Sequence, residues 1–284
     1  MIIVPYNFSK QSLFALEEAY TLAKASKSAI TLVYVIENNA LFKKIDKKII
    51  QQVIKGFDVE LKEIINSQKE KSEGIKISTS IRKGRIFSEI LKATKELNAK
   101  WIVTGLNNRT KENEREYIGA NTFRLLKTAT VPVITVSGKS EHSFYKNILL
   151  PLDSSAETMQ KVNGAIKIAK LFNSTIHVVS MQKGKRDVLD YKHQIQTNQV
   201  CEKINKAGLV CNTKSINDVE NKKIIEKLVK YSNEKEINLV ITMTEEEIAA
   251  KPFFVSSRTQ NFMRKFEIPV MTQKPKVLGR ISFR

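Results

Sequence analysis

The sequence predicts an α/β fold made of two tandem doubly wound domains, each an α/β sandwich around a five-stranded, mostly parallel sheet. Short apolar runs alternate with amphipathic segments along the whole chain, which is the pattern of parallel strands joined by helices. The chain also repeats itself, since residues 2–9 read IIVPYNFS and residues 148–155 read ILLPLDSS. Such a repeat indicates a duplicated unit, so every site must be sought twice.

The first half contains five apolar runs that we expect to form buried strands. They cover residues 2–5, 29–36, 75–81, 101–104 and 131–136. Helical spacing of apolar side chains predicts helices between them, with Ser9 as the cap of the first. The other helices are expected from Leu41 to about Lys71, after Gly84 and from Gly119 to Thr128.

The second half repeats this order. A capping box, Ser154-x-x-Glu157, is expected to start its first helix, and its middle segment is shorter and ends near Gly208. Residues 137–146 are polar and predict an interdomain linker. The predicted domains are therefore 1–140 and 145–273, followed by a basic tail, 274–284.

The composition is that of a soluble globular protein, with 284 residues, 42% hydrophobic and 27% charged. Apolar runs such as residues 29–36 are far shorter than the ~20 residues that span a bilayer, so no membrane insertion is expected. Because residues 2–5 read as a strand, we expect no secretory signal in this sequence. Cys201 and Cys211 are interpreted as reduced thiols of a cytoplasmic protein.

The net charge of +19 is large but divides evenly between the halves. Nucleic-acid-binding proteins concentrate their basic residues, so specific nucleic-acid binding is not expected. We interpret the excess as a solvated surface in a lysine-rich proteome; the alternative is weak, salt-sensitive attraction to polyanions or anionic lipid. Local basic clusters are Lys43, Lys44, Lys47 and Lys48, and Lys274, Lys276, Arg280 and Arg284 in the tail.

Ligands of open parallel sheets bind at the carboxyl ends of the strands. There, Gly105, a polar loop and Gly119-Ala120-Asn121-Thr122 at the start of a helix form an anion-cradle arrangement, in which free backbone N–H groups face the ligand. The three histidines, His142, His177 and His193, share neither metal nor catalytic spacing. The sequence predicts no metal site and no catalytic residue.

At these residues the chain resembles the universal stress protein family, along its whole length and as two copies. The resemblance rests on the Val-Pro-x-(Asp/Asn)-x-Ser opening, the alanine-rich helix, the Ile-Val-x-Gly strand end and the Pro-Val-x-x-Val closing strand. It implies a Rossmann-like fold, similar to the adenine nucleotide alpha hydrolases. Some members bind ATP through Gly-x2-Gly-x9-Gly-(Ser/Thr), with an Asp after the first strand and a backbone group after the second holding the adenosine.

The first domain differs from that ATP-binding motif at several positions. Asn7 stands at the Asp position without its charge, Asn108 replaces the second glycine, Gly119 comes one residue late, and Ala120 lacks the hydroxyl of the Ser/Thr slot. The candidate nucleotide-binding residues are Asn7, Val35, Gly105, Asn108, Gly119, Ala120 and Asn121.

The second domain departs further. Its glycine positions fall on Met243 and Ser256, and Glu245, Glu246 and Glu247 stand where a triphosphate would meet repulsive charge. The remnant candidates there are Asp153, Met181, Ser256 and Ser257.

Each candidate also has a purely structural interpretation. Gly105 and Gly84 are the residues that strand-to-loop turns require. Asp153 is suited to capping the helix that follows it, and Asn7 to fixing a turn.

The leading functional interpretation is a non-enzymatic, cytoplasmic protein with a regulatory or binding role in the stress response and degenerate nucleotide sites. One alternative is an ATP-binding sensor that uses the first domain, with weak ATP hydrolysis left open. Another is a scaffold for a protein partner, docked through Lys43–Lys48 or Glu245–Glu247. ATP in the first domain is the one cofactor considered.

Family members commonly pair through their last strands. We therefore expect residues 131–136 and 270–272 to pair within the chain, so that the halves form a closed, pseudo-twofold unit. This intramolecular pairing leaves a homodimer open.

Overall fold

Ten strands form one continuous sheet in the computed structural model, which describes residues 1–37, 47–106, 118–140, 142, 144–152, 158–183, 189–218, 224–243 and 263–275. The strands are β1 (Ile2–Pro5), β2 (Ile30–Glu37), β3 (Ile77–Gly84), β4 (Trp101–Gly105), β5 (Val133–Val136), β6 (Asn147–Leu152), β7 (Thr175–Lys183), β8 (Cys211–Asp218), β9 (Leu239–Met243) and β10 (Val270–Gln273). The helices are α1 (Lys10–Ser26), α2 (Lys47–Ser67), α3 (Ile86–Glu96), α4 (Ala120–Thr128), α5 (Thr158–Phe172), α6 (Leu189–Lys206) and α7 (Ile224–Glu234).

The strand order is β3-β2-β1-β4-β5-β10-β9-β6-β7-β8, so each half has the same doubly wound order. All pairings inside a half are parallel, which confirms the predicted fold class. In each half the order reverses beside the first strand, between β1 and β4 and between β6 and β9. This reversal places the open crevice of each half at the carboxyl ends of those two strands.

The two halves join through their last strands, as the sequence predicted. β5 and β10 are antiparallel, with Ile134 opposite Met271 and Val133 opposite Thr272. Both Ile134 and Met271 are fully buried, and the Thr135 hydroxyl donates a hydrogen bond to the Val270 carbonyl oxygen at 3.2 Å. The sheet therefore has no edge at the junction, and among the described residues its outer strands are β3 and β8.

Local signals positioned the elements with small differences. Ser9 caps α1 as expected, because its hydroxyl oxygen accepts a hydrogen bond from the Ser12 backbone N–H at 3.2 Å. The third strand runs to Gly84, later than predicted, since β3 follows β2 along its full length. The capping box at Ser154 and most of the basic tail lie outside the described residues.

The predicted linker contains a buried tyrosine that contacts both halves, which its polar composition did not predict. Tyr145 is fully buried, its ring lies 4.7 Å from that of Phe172, and its hydroxyl donates a hydrogen bond to the Glu18 carboxylate of α1. The Ser174 hydroxyl donates to the Tyr145 carbonyl oxygen. Tyr145 thus ties the second half to a helix of the first.

The expectation of two reduced thiols is wrong in this structure. Cys201 of α6 and Cys211 of β8 form a disulfide, with their Cα atoms 5.6 Å apart. A tight turn at Gly208 returns the chain from the helix to the edge strand, which brings the two residues within disulfide range. Spacing alone did not reveal this return.

Candidate functional site

The carboxyl ends of β1, β2 and β4 surround a small cavity of about 70 Å³, closed on its other side by α3 and α4. Four predicted residues line it: Asn7, Val35, Gly105 and Asn121. The other lining residues are Pro5, Tyr6, Ser12, Val33, Tyr34, Ile86, Ile90, Thr104, Thr122 and Leu125. The doubly wound topology therefore brings together residues that are far apart in sequence.

Asn7 is held by the turn between β1 and α1. Its side-chain oxygen accepts hydrogen bonds from the Ser9 hydroxyl at 2.7 Å and from the Ser9 backbone N–H at 3.3 Å. The intervening Phe8 takes a left-handed backbone conformation, φ 62°, which this turn stabilises. The oxygen that would accept from a ligand is thus already used locally, in agreement with the structural interpretation of Asn7.

Gly105 is required by packing. A Cβ atom at this position would lie 2.7 Å from Cβ of Gln11, so only glycine lets α1 approach the end of β4 this closely. The Gly105 carbonyl oxygen accepts a hydrogen bond from the Thr122 hydroxyl at 3.0 Å. Gly84, at φ +152°, likewise has a backbone conformation that glycine alone adopts readily.

The start of α4 lies beside the cavity, with Gly119 as its N-cap and no side-chain cap. The Gly119 N–H donates to the Leu106 carbonyl oxygen at 2.9 Å. Asn121 reaches the cavity, whereas Gly119 and Ala120 are not among its lining residues. Asn108 lies outside the described residues, so the structure assigns it no place.

An aromatic cluster borders the cavity, and sequence reasoning missed it. It consists of Tyr6, Phe8, Tyr34 and Phe57, with ring centroids 5.5 Å apart for Tyr6 and Phe8 and 4.4 Å apart for Tyr34 and Phe57. Phe57 comes from α2, remote in sequence from the other three. Tyr34 directly precedes Val35, and both residues line the cavity.

The titratable side chains that line this cavity in the described part of the chain are two tyrosines. Burial raises the pKa of Tyr6, and burial together with the nearby Glu60 raises the pKa of Tyr34. Both phenols therefore stay protonated at neutral pH, when they are able to donate hydrogen bonds but not to act as bases.

Two motif positions of the second half lie among the described residues. Met181 lies in β7 and packs against the hydrophobic cluster beneath α7, and Met243 is buried at the end of β9. Asp153, Ser256 and Ser257 lie outside the described residues, as do the three glutamates at 245–247. The described part of this half thus has an apolar side chain at the candidate Met181 and another at Met243, the position of a motif glycine.

Two features are absent among the described residues. No group of three His, Cys, Asp or Glu side chains among them is placed to hold a metal ion. None of their helices has the length and hydrophobicity needed to cross a membrane.

Comparison with known proteins agrees with the observed architecture. The model of the universal stress protein family matches residues 1–137 and again 144–274. The fold is similar to that of a universal stress protein from Archaeoglobus fulgidus DSM 4304, with 17% identity, a TM-score of 0.72, and coverage of 97% of this chain and 98% of that one. It is also similar to a putative universal stress protein from Pseudomonas aeruginosa UCBPP-PA14, with 15% identity, a TM-score of 0.65, and coverage of 96% and 92%.

A comparison with curated proteins gave no significant match. At these identities the structural likeness shows the fold alone, and the two family matches show the kinship. The chain belongs to the universal stress protein family, whose domain it contains twice in tandem.

Proposed function

We propose that this universal stress protein acts in the stress response by binding rather than by catalysis, and that its nucleotide sites are degenerate. The observation that supports this most directly is the cavity of about 70 Å³ at the expected site. Small-molecule sites typically enclose roughly 300–1,000 Å³. The division into domains 1–140 and 145–273 is part of the proposal.

The chemistry of the lining supports the same proposal. Asn7 brings no charge and its oxygen is engaged by Ser9, while Ala120 offers no hydroxyl to a phosphate. The glycine at 105 is explained by contact with Gln11, without any ligand. Tyr6 and Tyr34 have raised pKa values, which argues against a general base among the described lining residues.

A calorimetric titration with Mg²⁺-ATP tests the proposal. The native chain should bind with a Kd weaker than about 1 mM. The double variant Asn7→Asp, Ala120→Ser restores the charged and hydroxyl groups of the family motif and should bind more tightly than the native chain. Micromolar binding by the native chain, or phosphate release from ATP, would overturn the proposal.

The second candidate function is an ATP-binding sensor in the first domain. The observation that favours it is the convergence of Asn7, Val35, Gly105 and Asn121 on one cavity beside the start of α4. Gly119→Leu tests this candidate, because a φ of −58° at Gly119 is a backbone conformation that leucine also adopts. If the native chain binds ATP and Gly119→Leu does not, this function replaces the first.

A cytoplasmic location also belongs to the proposal. The Cys201–Cys211 disulfide weighs against it, because stable disulfides are typical of oxidising compartments. If both nucleotide titrations fail, a protein partner becomes the ligand to seek; Lys43, Lys44 and Glu245–Glu247, suggested for such docking, lie outside the described residues.

A further inference from the structure

The second half contains a groove that the nucleotide proposal does not use. It lies between α7 and the edge strand β8 and has a volume of about 500 Å³, within the range of small-molecule sites. It is near the amino ends of β7 and β8, at the opposite end of the strands from the crevice between β6 and β9. Its lining is entirely polar: His177, Asn212, Thr213, Lys214, Tyr231, Glu234 and Lys235.

The floor of the groove is a buried hydrogen-bonded pair. His177 is 4% exposed and Tyr231 8%, and the His177 Nδ1 atom lies 3.0 Å from the Tyr231 hydroxyl oxygen. Burial, and then the positive charge of Lys235, lower the pKa of His177. The imidazole is therefore neutral at physiological pH, and its other ring nitrogen is able to hydrogen-bond a ligand.

The rim of the groove has an excess of positive charge. Among the described residues, no carboxylate lies within ion-pair distance of Lys214 or Lys235. The Glu234 carboxylate has a cationic neighbour on its own helix, with Oε1 lying 3.9 Å from Nζ of Lys230. Two ammonium groups thus face one carboxylate that already has a cationic neighbour. Inside a groove, such an imbalance attracts anions more strongly than isolated surface lysines do.

The equivalent place in the first half is built differently. The position of His177 is taken by Thr31, whose hydroxyl oxygen lies 3.0 Å from that of Ser78, and the position of Tyr231 by the fully buried Ala93. The position of Lys235 is taken by Leu97. The imidazole, phenol and ammonium groups therefore belong to the second half alone, although the two halves share one fold.

We propose that this groove binds a small organic anion, with a phosphate or carboxylate group against Lys214 and Lys235 and a polar body over His177 and Tyr231. The backbone and side chains of Asn212 and Thr213 would supply further hydrogen bonds. An anion is favoured because it neutralises two unpaired ammonium groups, and charge-assisted hydrogen bonds are the strong ones. The site is independent of the nucleotide proposal, since it lies in the other half and at the other end of the strands.

The test is an NMR titration of the full chain, selectively labelled in its three histidines, with inorganic phosphate and separately with acetate at constant ionic strength. His177→Gln identifies the signal of His177. Phosphate or acetate bound beside Lys235 should shift this signal saturably and raise the pKa of His177, because the anion offsets the charge of Lys235. A response to phosphate alone assigns a phosphate ligand, and a response to both assigns a site that also accepts carboxylates.

Variants decide whether the response comes from the groove. The double variant Lys214→Gln, Lys235→Gln should bind the anion at least about tenfold more weakly, because both charge-assisted contacts are lost. Lys206→Gln is the matched control, since Lys206 is an exposed lysine of α6, which covers the opposite face of the sheet. The proposal is overturned if neither anion shifts the His177 signal saturably up to ~10 mM, or if the double variant responds like Lys206→Gln.

Discussion

Glu18 is a carboxyl group buried at the junction of the two halves. It is 1% exposed, accepts a hydrogen bond from the Tyr145 hydroxyl, and its second oxygen, Oε2, has no partner among the described residues. Burial raises its pKa to about 7, and the hydrogen bond from the Tyr145 hydroxyl, with a smaller contribution from the nearby Ser140, opposes that rise only in part. Near neutral pH this junction therefore changes its protonation state.

The raised pKa makes stability depend on pH in a definite direction. The unfolded chain releases the Glu18 proton near pH 4.5, whereas the folded chain keeps it until about pH 7. Folding is thus progressively disfavoured as pH rises through this window, by an amount on the order of 3 kcal/mol above it. Below about pH 4.5 the carboxyl group contributes no such difference.

Glu18→Gln should remove this dependence, because the amide keeps an oxygen for Tyr145 and never ionises. We expect the variant to be more stable than the native chain at pH 8 and to lose that advantage at pH 4.5, as measured by denaturant unfolding. Glu63→Gln, an exposed change on α2, is the control and should leave the profile unchanged. An identical pH profile for Glu18→Gln and the native chain would contradict the assignment.

The sequence predicted candidate residues that meet at one cavity where the backbone requirement is local. The resemblance and the strand ends pointed to Gly105, Asn7 and Asn121, and these residues do meet at one cavity. It could not find Phe57 or Tyr145, because their roles depend on contacts with residues remote in sequence. It also could not foresee that the Asn7 oxygen is taken by Ser9, since this depends on the turn geometry.

At the scale of elements, the Cys201–Cys211 disulfide fastens the edge strand β8 to α6. The cross-link closes a short loop, so the chain-entropy estimate of its contribution is about 2–3 kcal/mol. It lies on the α6 side of β8, the face opposite the proposed anion groove. Because β8 is an edge strand in the part of the sheet that the structure describes, the disulfide holds in place a strand paired there with β7 alone.

Replacing both cysteines by serine should lower the free energy of unfolding by about 2–3 kcal/mol. The measurement is denaturant unfolding of the native chain and the Cys201→Ser, Cys211→Ser variant, both without reductant. Intact mass of the native chain after alkylation should show no modified cysteine. Two alkylated thiols in freshly purified protein would contradict the disulfide and restore the original expectation from the sequence.

The elements themselves were largely predictable, because apolar runs and helical periodicity are properties of short segments. β1, α1 and α4 begin within a residue of their predicted positions. The pattern was less informative in β3, where the burial is intermediate along the strand and the boundary depends on pairing with β2. The return from α6 to β8, and with it the disulfide, depends on tertiary packing that periodicity does not encode.

At the scale of the whole molecule, the antiparallel pairing of β5 with β10 makes one sheet out of two repeats. Buried side chains of both halves lie side by side on the two strands. Just after β5, the Ser137 hydroxyl donates hydrogen bonds to the Phe266 and Glu267 carbonyl oxygens at 3.3 and 3.2 Å. Together with Tyr145 and Glu18, this pairing should couple the folding of the halves.

Met271→Pro should uncouple them. The substitution removes a backbone donor from a central strand, where proline is not tolerated, and should destabilise the pairing of β5 with β10. We expect the native chain to unfold in a single calorimetric transition and the variant to unfold in two. Two separate transitions in the native chain would show that the junction does not couple the halves.

We propose that this tandem universal stress protein acts by binding and that its degenerate sites hold no adenine nucleotide. The most direct measurement is the nucleotide content of freshly purified protein, obtained by denaturing it and separating the released small molecules by ion-exchange chromatography. We expect no adenine nucleotide in stoichiometric amount, because the cavity of about 70 Å³ is much smaller than the roughly 300–1,000 Å³ of typical small-molecule sites. Adenine nucleotide near one per chain would contradict it.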